Sequence, residues 1–159
     1  ATIAERKGRA PWSSMQCEYN ACHREAERDL IPYCRDQGIA LIPFSPIARG
    51  FLAHDRRNSD AASLRHKSDE YTLKHYHRSD DYKIFEVIES IAKERGVNNA
   101  QVAIAWTLAQ PGIASPIFGP TTVKHVEDAV SALSIKLTPE EIGRIEAPYR
   151  PRPTRGGGH

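Results

Sequence analysis

The sequence predicts an α/β fold in which buried parallel strands alternate with helices. Residues 39–44 form a continuous apolar run of strand length, a pattern typical of a parallel strand that is covered on both faces. In residues 83–95 the apolar side chains recur at helical spacing instead. Strand-like and helix-like segments alternate along the chain, which indicates an α/β architecture.

The first half of the chain predicts a strand–helix–strand unit. Residues 14–19 alternate in polarity and indicate a strand, and residues 24–37 indicate a helix that Gly38 closes at a C-cap position. Pro32 lies inside that helix, so we expect either a kink or a helix that begins there. Because residues 39–44 follow at once, the segments form a βαβ unit, whose crossover is right-handed.

The second half predicts more helices and one more strand. Gly96 ends the helix of residues 83–95, and Asn98 with Gln101 forms a capping box for the next helix. Residues 115–118 indicate a third short strand, again expected to be parallel.

Two further helices are predicted after this strand. Residues 123–133 carry apolar side chains at helical spacing, and we expect Val126, Val130 and Leu133 to point inward. The final helix begins at a capping box, in which Thr138 is the N-cap and Glu141 the third helical residue.

Buried parallel strands in this number need neighbours, because bare sheet edges leave backbone N–H and C=O groups unpaired. A complete (β/α)8 barrel takes about 250 residues, whereas the chain has 159. The predicted fold is therefore the C-terminal part of a (β/α)8 TIM barrel, about three strands with their helices. A small three-stranded open sheet is the alternative. In the partial barrel, the strands at Met15 and Ile117 would each lack a neighbour.

Composition and charge disfavour several classes of partner and site. The formal net charge is +2 and charges of both signs alternate, so neither nucleic acid nor an anionic membrane is favoured. No signal peptide or transmembrane run is evident. The three cysteines lack a CxxC spacing, which favours a reducing, cytoplasmic setting over a disulfide framework. Residues 5–8 resemble the end of a helix, as if the domain were entered partway through.

Three segments carry a resemblance to a known family. Residues 16–20 (QCEYN), 42–52 (IPFSPIARGFL) and 116–122 (PIFGPTT) resemble the last three strands and their loops in aldo-keto reductases. The similarity is closest to the microbial aryl-alcohol-dehydrogenase-like branch. It covers nearly the whole chain and is weakest from 53 to 82. Further matches are residues 24–32, 125–129 and 146–149.

The resemblance implies a domain organisation. Residues 1–148 would form a partial aldo-keto reductase barrel, and residues 149–159 would form an extended basic tail. We expect this tail to be solvated; its arginines are Arg150, Arg152 and Arg155. The long connection of residues 46–82 has no clear period, and the spacing of its histidines does not favour a metal site.

The resemblance also implies a site for NADP(H) at the C-terminal ends of the strands, where barrels gather their ligands. Gln16 would hydrogen-bond the nicotinamide carboxamide, since an amide both donates and accepts. Phe44 would stack on the nicotinamide face, where the family usually has Tyr or Trp. Arg65, in the long loop, would clasp the cofactor. The loop after the second strand would bind the pyrophosphate through a hydroxyl, backbone amides and an arginine; its residues are Ser45, Pro46, Ile47 and Arg49.

The adenosine end of the cofactor would lie at the start of the helix that follows the third strand. Gly119, Thr121 and Thr122 precede that helix, and hydroxyls at a helix N-terminus are a natural site for an anion. His125 would lie near the 2′-phosphate, and Asp128 would accept from the adenine amino group. No acidic residue is placed to bind a ribose 2′-hydroxyl, which favours NADP(H) over NAD(H).

The chain lacks the catalytic half that the resemblance would require. Aldo-keto reductases reduce carbonyls with a tetrad of Tyr, Lys, Asp and His, and no residue here maps onto these four. We therefore predict the cofactor-binding portion of an NADPH-dependent reductase of aldehydes or ketones, inactive by itself. Its partners would be a small-molecule carbonyl and the missing N-terminal barrel segment, or another chain that covers the sheet edges. The alternative is a truncated stand-alone fragment that binds nucleotide or serves as an interaction module.

Overall fold

The computed structural model describes residues 2–55 and 75–152 of the chain. Short 3-10 helices cover Glu25–Glu27 and Ala48–Gly50. Within the described ranges, no helix combines the length and the apolarity that crossing a membrane would require. The α-helices, in chain order, are α1 (Thr2–Arg6), α2 (Leu30–Asp36), α3 (Ser79–Arg95), α4 (Asn99–Ala109), α5 (Val123–Ala132) and α6 (Pro139–Glu146).

The strands run parallel, as predicted. β1 (Ser14–Met15) pairs with β2 (Ala40–Leu41), and Met15 lies opposite Leu41 in the register. Parallel bridges continue the pairing beyond β2, where Phe44 contacts Glu18 on one side and Ile117 on the other. The segment that contains β2 therefore lies between the first and third segments.

A proline limits the length of these strands. The third segment is reduced to two bridges to the middle one, made by Ile113 and Ile117. Pro43 faces the third segment and has no N–H group to donate to it, so the hydrogen-bond ladder between the two segments is interrupted there. The strand predicted over residues 115–118 is consequently shorter than expected.

The helix predicted over residues 24–37 is divided. After the 3-10 turn, α2 begins at Leu30, and Gly38 follows its C-terminus in the left-handed region with φ of 65°. Pro32 lies in the first turn of α2, where its missing N–H removes no helical hydrogen bond. The helix therefore starts beside Pro32 and is not kinked by it.

Capping boxes fix the starts of α4 and α6, as the sequence predicts. The Asn98 side chain accepts from the Gln101 N–H, and the Gln101 side chain accepts from the Asn98 N–H, both at 2.9 Å. Thr138 and Glu141 make the same reciprocal pair, at 3.2 and 2.6 Å. Each pair satisfies N–H groups that a helix start would otherwise leave without a partner.

The core lies between one face of the sheet and helices α2, α3 and α4. Helix α4 is buried along most of its length because it contacts both α3 and α5. Its Trp106 stacks on Tyr19 at 5.5 Å between ring centroids, and the indole N–H donates to Glu146 at 3.2 Å. The largest fully buried side chains include Leu41, Phe51, Ile84, Ile88, Ile91 and Val102.

Helix α5 departs from the prediction. Val126, Val130 and Leu133 were expected to point inward, but 46%, 59% and 57% of their surface is exposed. Val123 in the same helix is exposed as well. Periodicity correctly identified an amphipathic helix, but α5 directs its apolar face away from the core that the described chain builds.

Arg152, in the predicted tail, is packed against the body of the protein and not solvated. The Arg152 backbone N–H donates to Glu25 at 2.6 Å, and its Nε donates to the Cys22 carbonyl at 2.8 Å. Its guanidinium also bonds the His75 carbonyl and forms an ion pair with Asp81, whose side chain is 3% exposed. The solvated tail is therefore wrong for Arg152. Arg155 lies outside the described residues, and the boundary at 149 stays a prediction.

We expect Arg152→Ala to lower the free energy of unfolding by about 3 kcal/mol, because the substitution leaves the Asp81 carboxylate buried without its cation. Urea unfolding of the chain would measure this loss. Arg150→Ala is the matched control, since among the described residues the exposed Arg150 side chain bonds nearby backbone carbonyls, those of Ala147 and Tyr149. Equal effects of the two substitutions would contradict the role given to Arg152.

A second expectation concerns the stability of the chain at acidic pH. Two hydrogen bonds from Arg95, at 2.5 and 2.6 Å, are the main reason why the pKa of Glu141 falls from 4.5 to about 2. A depressed pKa of this kind stabilises the fold above the unfolded-state pKa, and the contribution is lost as pH falls through the folded-state value. Between pH 4.5 and 2 the free energy of unfolding of the parent chain should therefore fall more steeply than that of the Arg95→Gln variant.

Urea midpoints measured across this pH range would test the expectation. Lys93→Gln is the control, because Lys93 pairs with Glu89 on the exposed surface of the same helix. If the urea midpoints of the parent chain and of the Arg95→Gln variant change with pH in parallel, the expectation is refuted.

Candidate functional site

A cavity of about 550 Å³ opens where the middle and third strand segments end. It lies between the loop that follows Phe44 and the first turns of α5. Ligand cavities of α/β proteins gather at this end of the strands. The structure brings most of the predicted site residues to its wall: Phe44, Ser45, Pro46, Ile47, Arg49, Gly119, Thr121, His125 and Asp128.

The loop on one side of the cavity has an unusual backbone. Ser45, Ala48 and Arg49 have φ values of 59°, 49° and 55°, in the left-handed region that residues other than glycine rarely adopt. Each such residue costs roughly 1–2 kcal/mol, so the surrounding structure must hold the loop in place. Successive amides in turns of this kind form concave surfaces that bind anions.

Hydrogen bonds at both ends hold this loop. The Ser45 carbonyl accepts from the Ala48 N–H at 2.9 Å and from the Asn20 side chain at 3.0 Å. The Ile47 carbonyl accepts from the N–H groups of Gly50 and Leu52, at 2.9 and 3.2 Å. Leu52 is fully buried, so the loop leaves the cavity into the core.

The first turn of α5 forms the opposite wall. Thr122 is the N-cap, and its hydroxyl accepts from the His125 N–H at 3.2 Å. The Thr121 N–H donates to His125 Nδ1 at 3.3 Å, and the Thr121 hydroxyl lies 3.1 Å from the same nitrogen. In the contact with the Thr121 N–H, His125 Nδ1 is the acceptor. The N-terminus of α5 and the Thr121 hydroxyl therefore lie together at the cavity, an arrangement that suits an anion.

Thr122 was predicted as a ligand, but it is not among the residues that line this cavity. Its hydroxyl is used as the helix cap, so its contribution is to fix the start of α5. Arg65 lies outside the described residues, and its predicted contact stays a prediction.

Gln16 also lies away from the lining residues, on the sheet itself. Since Met15 is opposite Leu41 and Glu18 is bridged to Phe44, the parallel register places Gln16 on the same sheet face as Phe44. The Phe44 side chain is 37% exposed on this open face. The two residues thus share one surface without sharing the cavity wall.

Several residues of the cavity were missed by the sequence analysis. Lys124 lines it and lies 3.5 Å from Asp128 in a helical i,i+4 pair. A basic residue in the first turn of the helix was a signal that could have been used. The first turns of α4 contribute Asn98, Ala100 and Ile104, for which only the capping box was recognised, because their approach to the cavity depends on tertiary packing.

The donor set fits a dinucleotide that carries phosphates. Left-handed turns, a helix N-terminus and the cations Arg49 and Lys124 surround a cavity whose remaining wall is largely apolar, including Phe44 and Ile117. Phosphates are bound by backbone N–H groups and cations of this kind. Flat heterocycles stack on apolar and aromatic side chains. Among the described residues no group of three or more His, Cys, Asp or Glu side chains could hold a metal ion.

Comparison with known proteins agrees with the resemblance. The model of the Aldo/keto reductase family matches residues 1–150. A versiconal hemiacetal acetate reductase from Aspergillus parasiticus is 40% identical over 98% of this chain and 45% of its own length. A putative aryl-alcohol dehydrogenase from Schizosaccharomyces pombe is 39% identical over 96% of the chain and 43% of its own length.

A solved structure is also similar. A thermostable aldo-keto reductase in complex with the inhibitor epalrestat matches with a TM-score of 0.65 and 26% identity, over 92% of this chain and 43% of that one. The chain spans less than half the length of these curated relatives. On the match of the family model to nearly all of its residues, the chain belongs to the aldo/keto reductase family.

Proposed function

We propose that this chain is the cofactor-binding, C-terminal portion of an NADPH-dependent aldo-keto reductase that reduces aldehydes or ketones to alcohols. The observation that carries the proposal is the cavity at the strand ends, where the predicted phosphate loop meets the first turn of α5. Family membership supports the reaction class, since the relatives include a reductase and an aryl-alcohol dehydrogenase.

The residues of the cavity suggest how each part of the cofactor would be held. Thr121, His125 and Lys124 would face the 2′-phosphate at the N-terminus of α5, and the amides of the 45–50 loop would face the pyrophosphate. Phe44 would cover one face of the nicotinamide. Bound NADPH would supply a hydride for the carbonyl carbon.

Two exposed apolar surfaces support a missing barrel segment as the partner of this chain. On the open face of the sheet, 37% of Phe44 and 42% of Ile117 are exposed, although parallel strand segments are normally covered on both faces. On α5, the exposed face consists of Val123, Val126, Val130 and Leu133. An N-terminal barrel portion that packs on these surfaces would also bring the catalytic tetrad.

The cysteines fit the proposed cytoplasmic setting. Cys17, Cys22 and Cys34 are free thiols. Burial is the main reason why the pKa of Cys17 rises to about 11 and that of Cys22 rises well above its ordinary value. Protonated, shielded thiols of this kind are unreactive and suit a reducing compartment.

We expect the isolated 159-residue chain to reduce no carbonyl with NADPH. Loss of the proton donor alone costs about 10²–10⁴ in rate, and part of the pocket is missing as well. The completed barrel, defined as this chain joined behind the N-terminal portion of the Aspergillus parasiticus reductase, should regain turnover. NADPH oxidation with a panel of aromatic and aliphatic aldehydes would measure both. Turnover by the isolated chain would contradict the proposal and favour a self-contained activity.

We also expect the completed barrel to prefer NADPH over NADH by about tenfold, or 1–2 kcal/mol. The added phosphate would receive hydrogen bonds from the start of α5, whereas Asp128, the carboxylate among the described residues that line the cavity, pairs with Lys124. Dissociation constants for both cofactors, measured at one salt concentration, would test this preference.

Thr121→Ala and His125→Ala should reduce that preference, and Thr138→Ala is the control because it removes a hydroxyl cap from the remote helix α6. Equal affinity for the two cofactors would show that this pocket does not distinguish the phosphate. A preference that survives both substitutions would show that other residues bind it.

A further inference from the structure

We propose that Asn20 and Tyr76 are positioning residues for the 45–50 loop: their hydrogen bonds hold the Ser45 carbonyl and thereby the left-handed turns that would face the cofactor pyrophosphate. The inference rests on the proposed function, because the loop matters only if it contacts a dinucleotide. Neither residue was singled out by the sequence pattern as a ligand, and neither lines the cavity.

Asn20 is fully buried, and its side chain is fixed from two sides. Its amide nitrogen donates one hydrogen to the Ser45 carbonyl at 3.0 Å and the other to the Tyr76 hydroxyl at 3.1 Å. Its amide oxygen accepts from the Cys22 N–H at 3.0 Å. An amide held at both ends cannot rotate, so the position of the Ser45 carbonyl is fixed as well.

Tyr76 links this bond to the far end of the loop. Its buried hydroxyl accepts from Asn20 and donates to the Glu18 carboxylate, which lies beside Phe44 in the sheet. Its ring stacks on Phe51 at 6.2 Å between centroids, and Phe51 directly follows the loop. Tyr76 therefore fixes both ends of the segment, Ser45 through Asn20 and Phe51 through its ring.

Tyr76 is itself held in place by the packed C-terminal segment. The Arg152 guanidinium lies 5.4 Å from the centre of the Tyr76 ring and bonds the carbonyl of the preceding residue, His75. Burial and the neighbouring Glu18 raise the pKa of Tyr76, so its hydroxyl stays protonated and remains a donor. These contacts preorganise a loop whose left-handed residues would otherwise relax.

The first test is binding by the completed barrel. Tyr76→Phe keeps the ring and removes the hydroxyl, and with it the hydrogen bonds to Asn20 and Glu18. It should therefore weaken NADPH binding by about five- to tenfold. Binding of 2′-AMP should not change, because that molecule would occupy only the α5 end of the site. Tyr33→Phe is the matched control, since Tyr33 is an exposed residue of α2. A general loss of stability would weaken the binding of both NADPH and 2′-AMP, whereas a misplaced loop would weaken the binding of NADPH alone.

The second test needs no ligand and uses the chain itself. Deuterium exchange of the peptide that spans residues 45–53 should become about five- to tenfold faster in Tyr76→Phe and in Asn20→Ser. Exchange in α4 should stay unchanged. Asn20→Ser removes the bond to Ser45 directly and so provides a second variant where Tyr76→Phe fails to fold.

The outcomes separate the two proposals. Failure of the parent completed barrel to bind NADPH would overturn the proposed function, while the exchange experiment would still decide whether Asn20 and Tyr76 hold the loop. Normal NADPH binding with no change in either variant would overturn only this inference. Equal acceleration of exchange in the loop and in α4 for both variants would also overturn it, because the two residues would then hold the whole domain.

Discussion

A short parallel sheet with one covered face is the constraint on which the rest of this structure depends. Parallel strands are stable when both faces are packed, and the helices of the described residues pack on one face. The consequences are visible at Phe44 and Ile117, apolar residues that remain more than a third exposed on the open face. The exposed face of α5, which has the composition of a buried surface, poses the same problem. A second segment that covers both the open face of the sheet and the exposed face of α5 would bury these apolar residues together.

The region around the strand ends is organised differently, because its stability comes from within the chain. Arg152, Asp81, Tyr76 and Asn20 form a buried set of charged and polar contacts that joins the C-terminal segment, the start of α3 and the segment after β1. A buried charge such as Asp81 is tolerated only when it is paired. The strained 45–50 loop is joined to this set by the hydrogen bond from Asn20 to the Ser45 carbonyl.

The sequence predicted the features that depend on local patterns. The capping boxes at Asn98 and Thr138, the turn at Gly38 and the parallel direction of the strands follow from short-range chemistry, and all are present. Pro43 was visible in the sequence, yet its effect on strand length depends on pairing between distant segments. The direction of the α5 apolar face could not be predicted, because periodicity shows that a helix is amphipathic without showing what covers it.

The same division applies to the candidate site. Phe44, Ser45, Arg49, Thr121 and His125 were identified through motifs with a fixed order along the chain, and the structure brings them to one cavity. Contacts between distant residues were missed: Asn98 and Ile104 approach from α4, and Asn20 reaches Ser45 from another strand segment. Arg152 was misjudged for a related reason, since a basic residue between prolines resembles a solvated tail until its partner Asp81 is known.

These observations divide the proposed cofactor site into two parts with different requirements. At the phosphate end, both walls are fixed by contacts inside the chain: the loop by Asn20 and Tyr76, and the start of α5 by the Thr122 cap. At the proposed nicotinamide end, Phe44 lies on the sheet face that the described residues leave open, so solvent would compete with any ring stacked there. Hydride transfer needs a dry, oriented nicotinamide, whereas phosphate recognition needs only placed donors. Under the proposed function, a chain built in this way would preorganise the cofactor's phosphates by itself and would require a covering segment to perform chemistry.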